Sequence, residues 1–201
     1  MARAEPSLIT KPVVNLLGFW PLNAGGRLAR SGPAIGLPLF GAVVVLLYVR
    51  PVWSILAHLP FNYNEGWNAY SADAAIIGGA LDPPRDALIS NNCPPLSFFV
   101  VGGRGQPVGD NIIAGRFISL ISLYVVAGNV VLVLSARGAA RTHSIFGAIL
   151  FLCCIGGLPG GLVAVDEPQW LGHALNTTGL CYFCARATKS QAFGAGWPRP
   201  A

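Results

Sequence analysis

The chain has 201 residues, 53% of them hydrophobic and 10% charged, with a formal net charge of +5. A soluble domain carries about a quarter charged residues, so this composition excludes an ordinary water-soluble fold. The positive balance does not indicate nucleic acid, because the basic residues flank apolar runs and form no patch.

The acidic residues are segregated. All but Glu5 lie between Phe61 and Asp110 or between Val165 and Gln169. Basic residues occupy the other gaps, as Arg27 and Arg30, Arg137 and Arg141, and Arg186 and Lys189. Cytoplasmic loops collect Lys and Arg, so the gaps alternate between the two sides of a membrane, with the N-terminus cytoplasmic. The fold expected is all-α: a polytopic membrane helix bundle of about four spans with a long, partly helical first outer loop.

In chain order, residues 1–36 form a cytoplasmic N-terminal segment, basic and rich in Gly and Pro. Its stretch Val13 to Trp20 either lies on the membrane surface, with Lys11 near the headgroups, or belongs to a disordered tail. A cleaved signal peptide is disfavoured, because more than thirty residues precede the first apolar run and no small-residue cleavage site follows it. The membrane domain covers residues 37–185, in four apolar runs: Leu37 to Leu59, Ile112 to Leu134, Ile145 to Val165 and Trp170 to Ala185. The first three reach the roughly 20 residues a spanning helix needs, and the fourth is short and polar along one side. Arg50-Pro51 either kinks the first run or marks its outer end. Residues 186–201 form a polar cytoplasmic tail, expected to be disordered.

Outer loop 60–111 is far longer than an ordinary connection, and its aromatic content argues against disorder. Glu65 to Gly79 is expected to form a helix capped by Asn62 or Asn64 and ended by Asp82-Pro83-Pro84. Leu96 to Val101 is too short to span and reads as an interfacial helix.

Four motifs in this order carry a resemblance. They are Tyr63-Asn64-Glu65-Gly66-Trp67, Asn92-Cys93-Pro94-Pro95-Leu96, Gly109-Asp110-Asn111 with Gly115-Arg116-Phe117, and Asp166-Glu167-Pro168-Gln169-Trp170-Leu171. Together they resemble the outer-loop elements of GT-C fold glycosyltransferases, polytopic enzymes that take a sugar from a polyprenyl-phosphate donor. The match runs from about Leu37 to Leu180, short of the family's further spans, and so implies the N-terminal portion of such an enzyme. Asn64 stands where the family often has an Asp before the Glu, leaving one carboxylate in the first motif.

The resemblance implies transfer to a lipid or glycan acceptor on the non-cytoplasmic face, with a bacterial inner membrane as the setting. Membrane lipid, the donor and the acceptor are the implied partners, with further membrane subunits as additional ones and no nucleic acid. Glu65 takes the position of the catalytic base, which needs its acceptor in hydrogen-bond reach. Exposed loop acid and cap partner are its structural alternatives. Arg116 is the candidate for the donor phosphate, with an interfacial anchor as the alternative reading. Arg85 and Arg104 are weaker candidates for the same task.

Asp166, Gln169, His173 and Asn176 would share one face of a fourth helix, lining a cavity or bonding to other helices. Asp166 or Glu167 would contact the acceptor or a metal. No cofactor is required; a divalent metal is compatible with the residues, but no ligand spacing stands out around His173.

Cys93 stands by itself in the outer loop, Cys153 and Cys154 sit in an apolar run, and Cys181 and Cys184 lack the second pair of a zinc site. The sequon Asn176-Thr177-Thr178 falls inside a span and is expected to be unused. The reading from another class is a non-enzymatic membrane subunit whose outer loop docks a partner. A channel element is weaker, because one face of one span supplies all the polarity.

Overall fold

A computed structural model describes residues 27–81, 93–158 and 161–194, with helices and no strand among them. Six helices follow in order: α1 Arg27–Trp53, α2 Tyr63–Ile77, α3 Pro95–Val108, α4 Asn111–Ala136, α5 Arg141–Gly156 and α6 Pro168–Gly194. The surface stretch expected at Val13 to Trp20 lies outside the described residues.

Two helices are long and apolar enough to cross a membrane, at Ile35–Leu56 and Asn111–Ala136. Arg50-Pro51 does not break the first. The chain stays helical to Trp53 and tightens into a 3-10 turn over Ser54–Leu56, so the pair lies in the last turn of α1. Helix α1 also begins at Arg27, inside the segment expected to precede the membrane domain.

The third apolar run is not one helix. Helix α5 has 16 residues and ends at Gly156, and Gly157 caps it. At 1.5 Å per residue that is about 24 Å, below the hydrocarbon thickness of about 30 Å. Gly156, Gly157, Pro159, Gly160 and Gly161 interrupt the run, and residues 161–167 return as a largely buried loop. Helix α6 starts with Pro168, whose missing N–H costs nothing in a first turn, and continues to Gly194. It therefore reaches into the expected tail, because Ala185, Ala187, Lys189, Gln191 and Ala192 are good helix formers regardless of hydropathy.

Both short helices of the outer loop form. Asn62 Oδ1 accepts from the Glu65 N–H and caps α2. The helix ends earlier than Asp82, where Gly78 takes a left-handed φ of 79° and closes it. Helix α3 extends past Val101 to Val108 and is ended by Gly109 at φ 78°. Asp110 Oδ1 then accepts from the Ile112 and Ile113 N–H groups and starts α4.

Helix α4 is the hub and packs against α2, α3, α5 and α6, while α1 packs on α5. The main core gathers Tyr48, Ile55, Leu123, Leu152, Val163 and Trp170 from four helices or their ends and the loop before α6. Several buried polar groups are paired across helices. Tyr48 Oη donates to Leu152 O at 3.0 Å, and Asn129 Nδ2 donates to Thr177 and Thr178 hydroxyls at 2.8 and 2.9 Å. Close approach is set by small residues. A Cβ at Gly102 would collide with the Ala72 carbonyl of α2, so α2 and α3 touch backbone to side.

Candidate functional site

Arg116 sits one turn into α4 and is wholly enclosed. An unpaired guanidinium there would be prohibitively costly, and the structure meets every donor it carries. Nε donates to Glu65 Oε1 at 2.8 Å and Nη2 to Glu65 Oε2 at 2.8 Å, a bidentate pair. Nη1 is held by the Ser54, Ile55 and Ala57 carbonyls at 3.3, 3.2 and 2.6 Å, and Nη2 also reaches Leu59 O at 2.8 Å. These carbonyls belong to the end of α1 and the strand of chain after it, where helix termination leaves acceptors unsatisfied. The Phe61 ring covers the guanidinium, with its centroid 4.1 Å from Cζ.

Glu65 is equally enclosed. Besides Arg116 it accepts from the Phe61 N–H at 2.6 Å and from the Asp166 N–H at 3.0 Å. Burial alone would raise its carboxyl, but the bonds from Arg116, Phe61 and Asp166 outweigh it and hold the group below the usual glutamate range. In this arrangement Glu65 has no exposed oxygen to offer an acceptor, and Arg116 has no N–H left for a phosphate. Each satisfies the other.

Asp166 closes the cluster from the loop before α6. Its carbonyl accepts from Asn68 Nδ2 at 2.8 Å, while its carboxyl is buried with neither oxygen hydrogen-bonded to a described residue. That carboxyl lies where a side chain on Gly115 would be, so α4 admits it only because residue 115 lacks a Cβ. Burial, then the Glu65 and Glu167 charges, push Asp166 up to about 8, against the opposing pull of Arg116. That value favours the protonated acid at neutral pH. Glu167 is half-buried, and burial raises its carboxyl too. Ser119 clips its backbone, accepting from the Glu167 N–H at 3.0 Å and donating to its carbonyl at 3.1 Å. Burial and the charges of Glu167 and Asp166 raise the Cys93 thiol, which places the second motif beside the fourth.

Other expected residues lie apart. Asp166 precedes α6 and does not lie on its face. Gln169, His173 and Asn176 share a face as their spacing requires, but it is exposed, and Asn129 instead meets Thr177 and Thr178. Arg104 is exposed on α3, and Arg85 is outside the described residues. Among the described residues no group of three His, Cys, Asp or Glu is placed to hold a metal ion.

Sequence reasoning missed Asn68 and Ser119, and named Gly115 in a motif without giving it a role. Asn68 follows Glu65 by three and Ser119 follows Arg116 by three, which puts each pair on one helix face. A serine inside an apolar run was the available signal. No family model, curated protein or solved structure matches this chain.

Proposed function

We propose that the chain is the N-terminal membrane portion of a GT-C-like glycosyltransferase, moving a sugar from a polyprenyl-phosphate donor to a lipid or glycan acceptor on the non-cytoplasmic face. The observation that supports this reading is convergence. Glu65, Cys93, Arg116 and Asp166–Glu167 come from the four motifs, and residues 101 apart in sequence meet through the Asp166 N–H and Glu65. On this reading α5 and α6 supply the third and fourth crossings. The buried loop at Val163–Val165 completes the crossing of α5, since non-helical backbone at membrane depth is tolerated when protein covers it.

Roles follow from exposure. Glu65, at the family's base position, and Arg116 lock the outer ends of α1, α2 and α4, and release from that lock is required before either can touch substrate. Glu167 is the half-buried carboxylate left to contact the acceptor, and burial raises its carboxyl above the usual glutamate range, the direction a general acid needs. The test is transfer from radiolabelled polyprenyl-phosphate sugars in membranes carrying the chain. Glu167→Gln should cut transfer about 100-fold at unchanged protein level, as loss of a general acid or base does. Glu65→Gln should lose transfer together with folded protein. Wild-type membranes no more active than empty-vector membranes would reject the enzyme reading.

One observation favours the non-enzymatic subunit as a second reading. Only 11% of the best apolar window of Ile35–Leu56 is buried within the chain, which leaves α1 open to another helix. A photocrosslinker at Leu46, 76% exposed, would then join α1 to one defined protein and not to lipid.

A further inference from the structure

A cavity of about 480 Å³ lies between α1 and the loop before α6, lined by Arg50, Phe61, Asn62, Val163, Ala164 and Val165 among others. Arg50 falls within the apolar span Ile35–Leu56, yet it makes no ion pair or hydrogen bond with any described residue. Arg50 is exposed in the last turn of α1, where its guanidinium is open to water or to an anion.

A second, independent observation comes from the opposite wall. Val163, Ala164 and Val165 are 4%, 2% and 8% exposed, and none of their backbone N–H groups donates to a described residue. Buried amides are nearly always paired, so three consecutive ones without a partner among the described residues are exceptional. Ala164 is held at φ 55°, a conformation costly for a residue with a Cβ, and the same left-handed bend occurs in backbone concavities that bind anions. Asn62 spends its Oδ1 on the α2 cap, which leaves its amide N–H groups as donors.

The cavity wall thus offers donors, and among the described residues no carboxylate lines it. Glu65 lies behind Phe61 with its charge spent on Arg116. We propose that this cavity binds a phosphate group, with the Arg50 guanidinium, the Asn62 amide and the N–H groups of residues 163–165 as its donors. A phosphate offers enough oxygens to meet a planar guanidinium fork and several amides together. The position near the outer end of α1 is headgroup level, so the phosphate belongs either to a membrane phospholipid or to a soluble phosphate. The site is independent of sugar transfer.

The full chain in neutral detergent is titrated with phosphatidylglycerol, followed by native mass spectrometry, and separately with inorganic phosphate, followed by calorimetry. Arg50→Gln should weaken binding at least about ten-fold, as loss of a charge-assisted contact does, Arg50→Lys should retain part of it, and Arg137→Gln should bind as wild type. Loss confined to the lipid titration assigns the phosphate to a lipid headgroup; loss with inorganic phosphate assigns it to a soluble ligand. Equal binding by wild type and Arg50→Gln in both titrations, or equal losses in Arg50→Gln and Arg137→Gln, would overturn the site. Should Arg50→Gln not fold, phenylglyoxal labelling of the wild-type chain reads the same contact. Arg50 should be protected by phosphatidylglycerol or phosphate while Arg137 is not, and unprotected labelling of Arg50 counts against the proposal.

Discussion

Arg116 and Glu65 hold three helix ends together at a single point, and removing either partner strands the other in a buried site. Breaking such a pair costs about 3–5 kcal/mol, much more than the net worth of the pair itself. Arg116→Met should therefore destabilise the chain by about that amount in denaturant titrations in mixed micelles. The double variant Arg116→Met with Glu65→Gln should recover part of the loss, because the stranded charge is gone. Additive losses would mean that the two side chains are not coupled.

Asp166 makes a pH prediction of opposite sign to the usual carboxylate. Its folded value of about 8 lies above the ordinary 3.8, so between these values the folded chain binds more protons than the unfolded one. The stability that this proton confers is complete below about pH 4 and is lost as pH rises through about 8. Glu65, held low, acts the other way, and its contribution disappears as pH falls below the ordinary 4.5 and through its folded value. Melting temperature should thus fall as pH rises from 5 to 9, and Asp166→Asn should flatten that decline. A decline of unchanged steepness in Asp166→Asn would place the titrating group elsewhere, with Glu167, also raised, the first to examine.

Among the elements, the α2–α3 pair is the joint most sensitive to volume. Gly102 faces the Ala72 carbonyl and the Ile76 side chain, and both would be struck by a single methyl. Overpacking of this kind costs about 1–3 kcal/mol. Gly102→Ala should lower stability in that range, whereas Gly103→Ala, which meets nothing, should leave it unchanged or slightly raised through helix propensity. Equal effects in a thermal melt would show that helix propensity, not contact with α2, governs both positions.

At the scale of the whole molecule, α1 leaves a long apolar face exposed. Leu39, Val45, Leu46, Val49 and Trp53 of α1 are more than half exposed, a surface that water would not tolerate in a monomer. Helix α4 is better covered, with 39% of its apolar window buried. On the proposed membrane reading, the charge pattern would put the Ala139 turn between α4 and α5 inside and α3 outside. In a cysteine-free background, a membrane-impermeant maleimide added to intact cells should label Arg104→Cys and spare Ala139→Cys. The reverse labelling would invert the topology.

Hydropathy, charge and capping are properties of neighbours in the chain, and these were legible before any fold. The all-helical class, the two long apolar helices, the Asn62 cap of α2, and the end of α1 just after Arg50-Pro51 all came from local rules. Local rules also overextended. They joined Ile145 to Val165 into one helix, although Gly156 and the glycines after it end α5 early, because mean hydropathy does not register a break in backbone conformation. Only the tertiary structure decided that Arg116 spends its five donors on Glu65 and the end of α1, that Asp166 is buried on Gly115, and that Gln169 and His173 face outward. A side chain's charge state and reach depend on which helix ends meet, and those contacts span 51 to 101 residues of chain that no local pattern encodes.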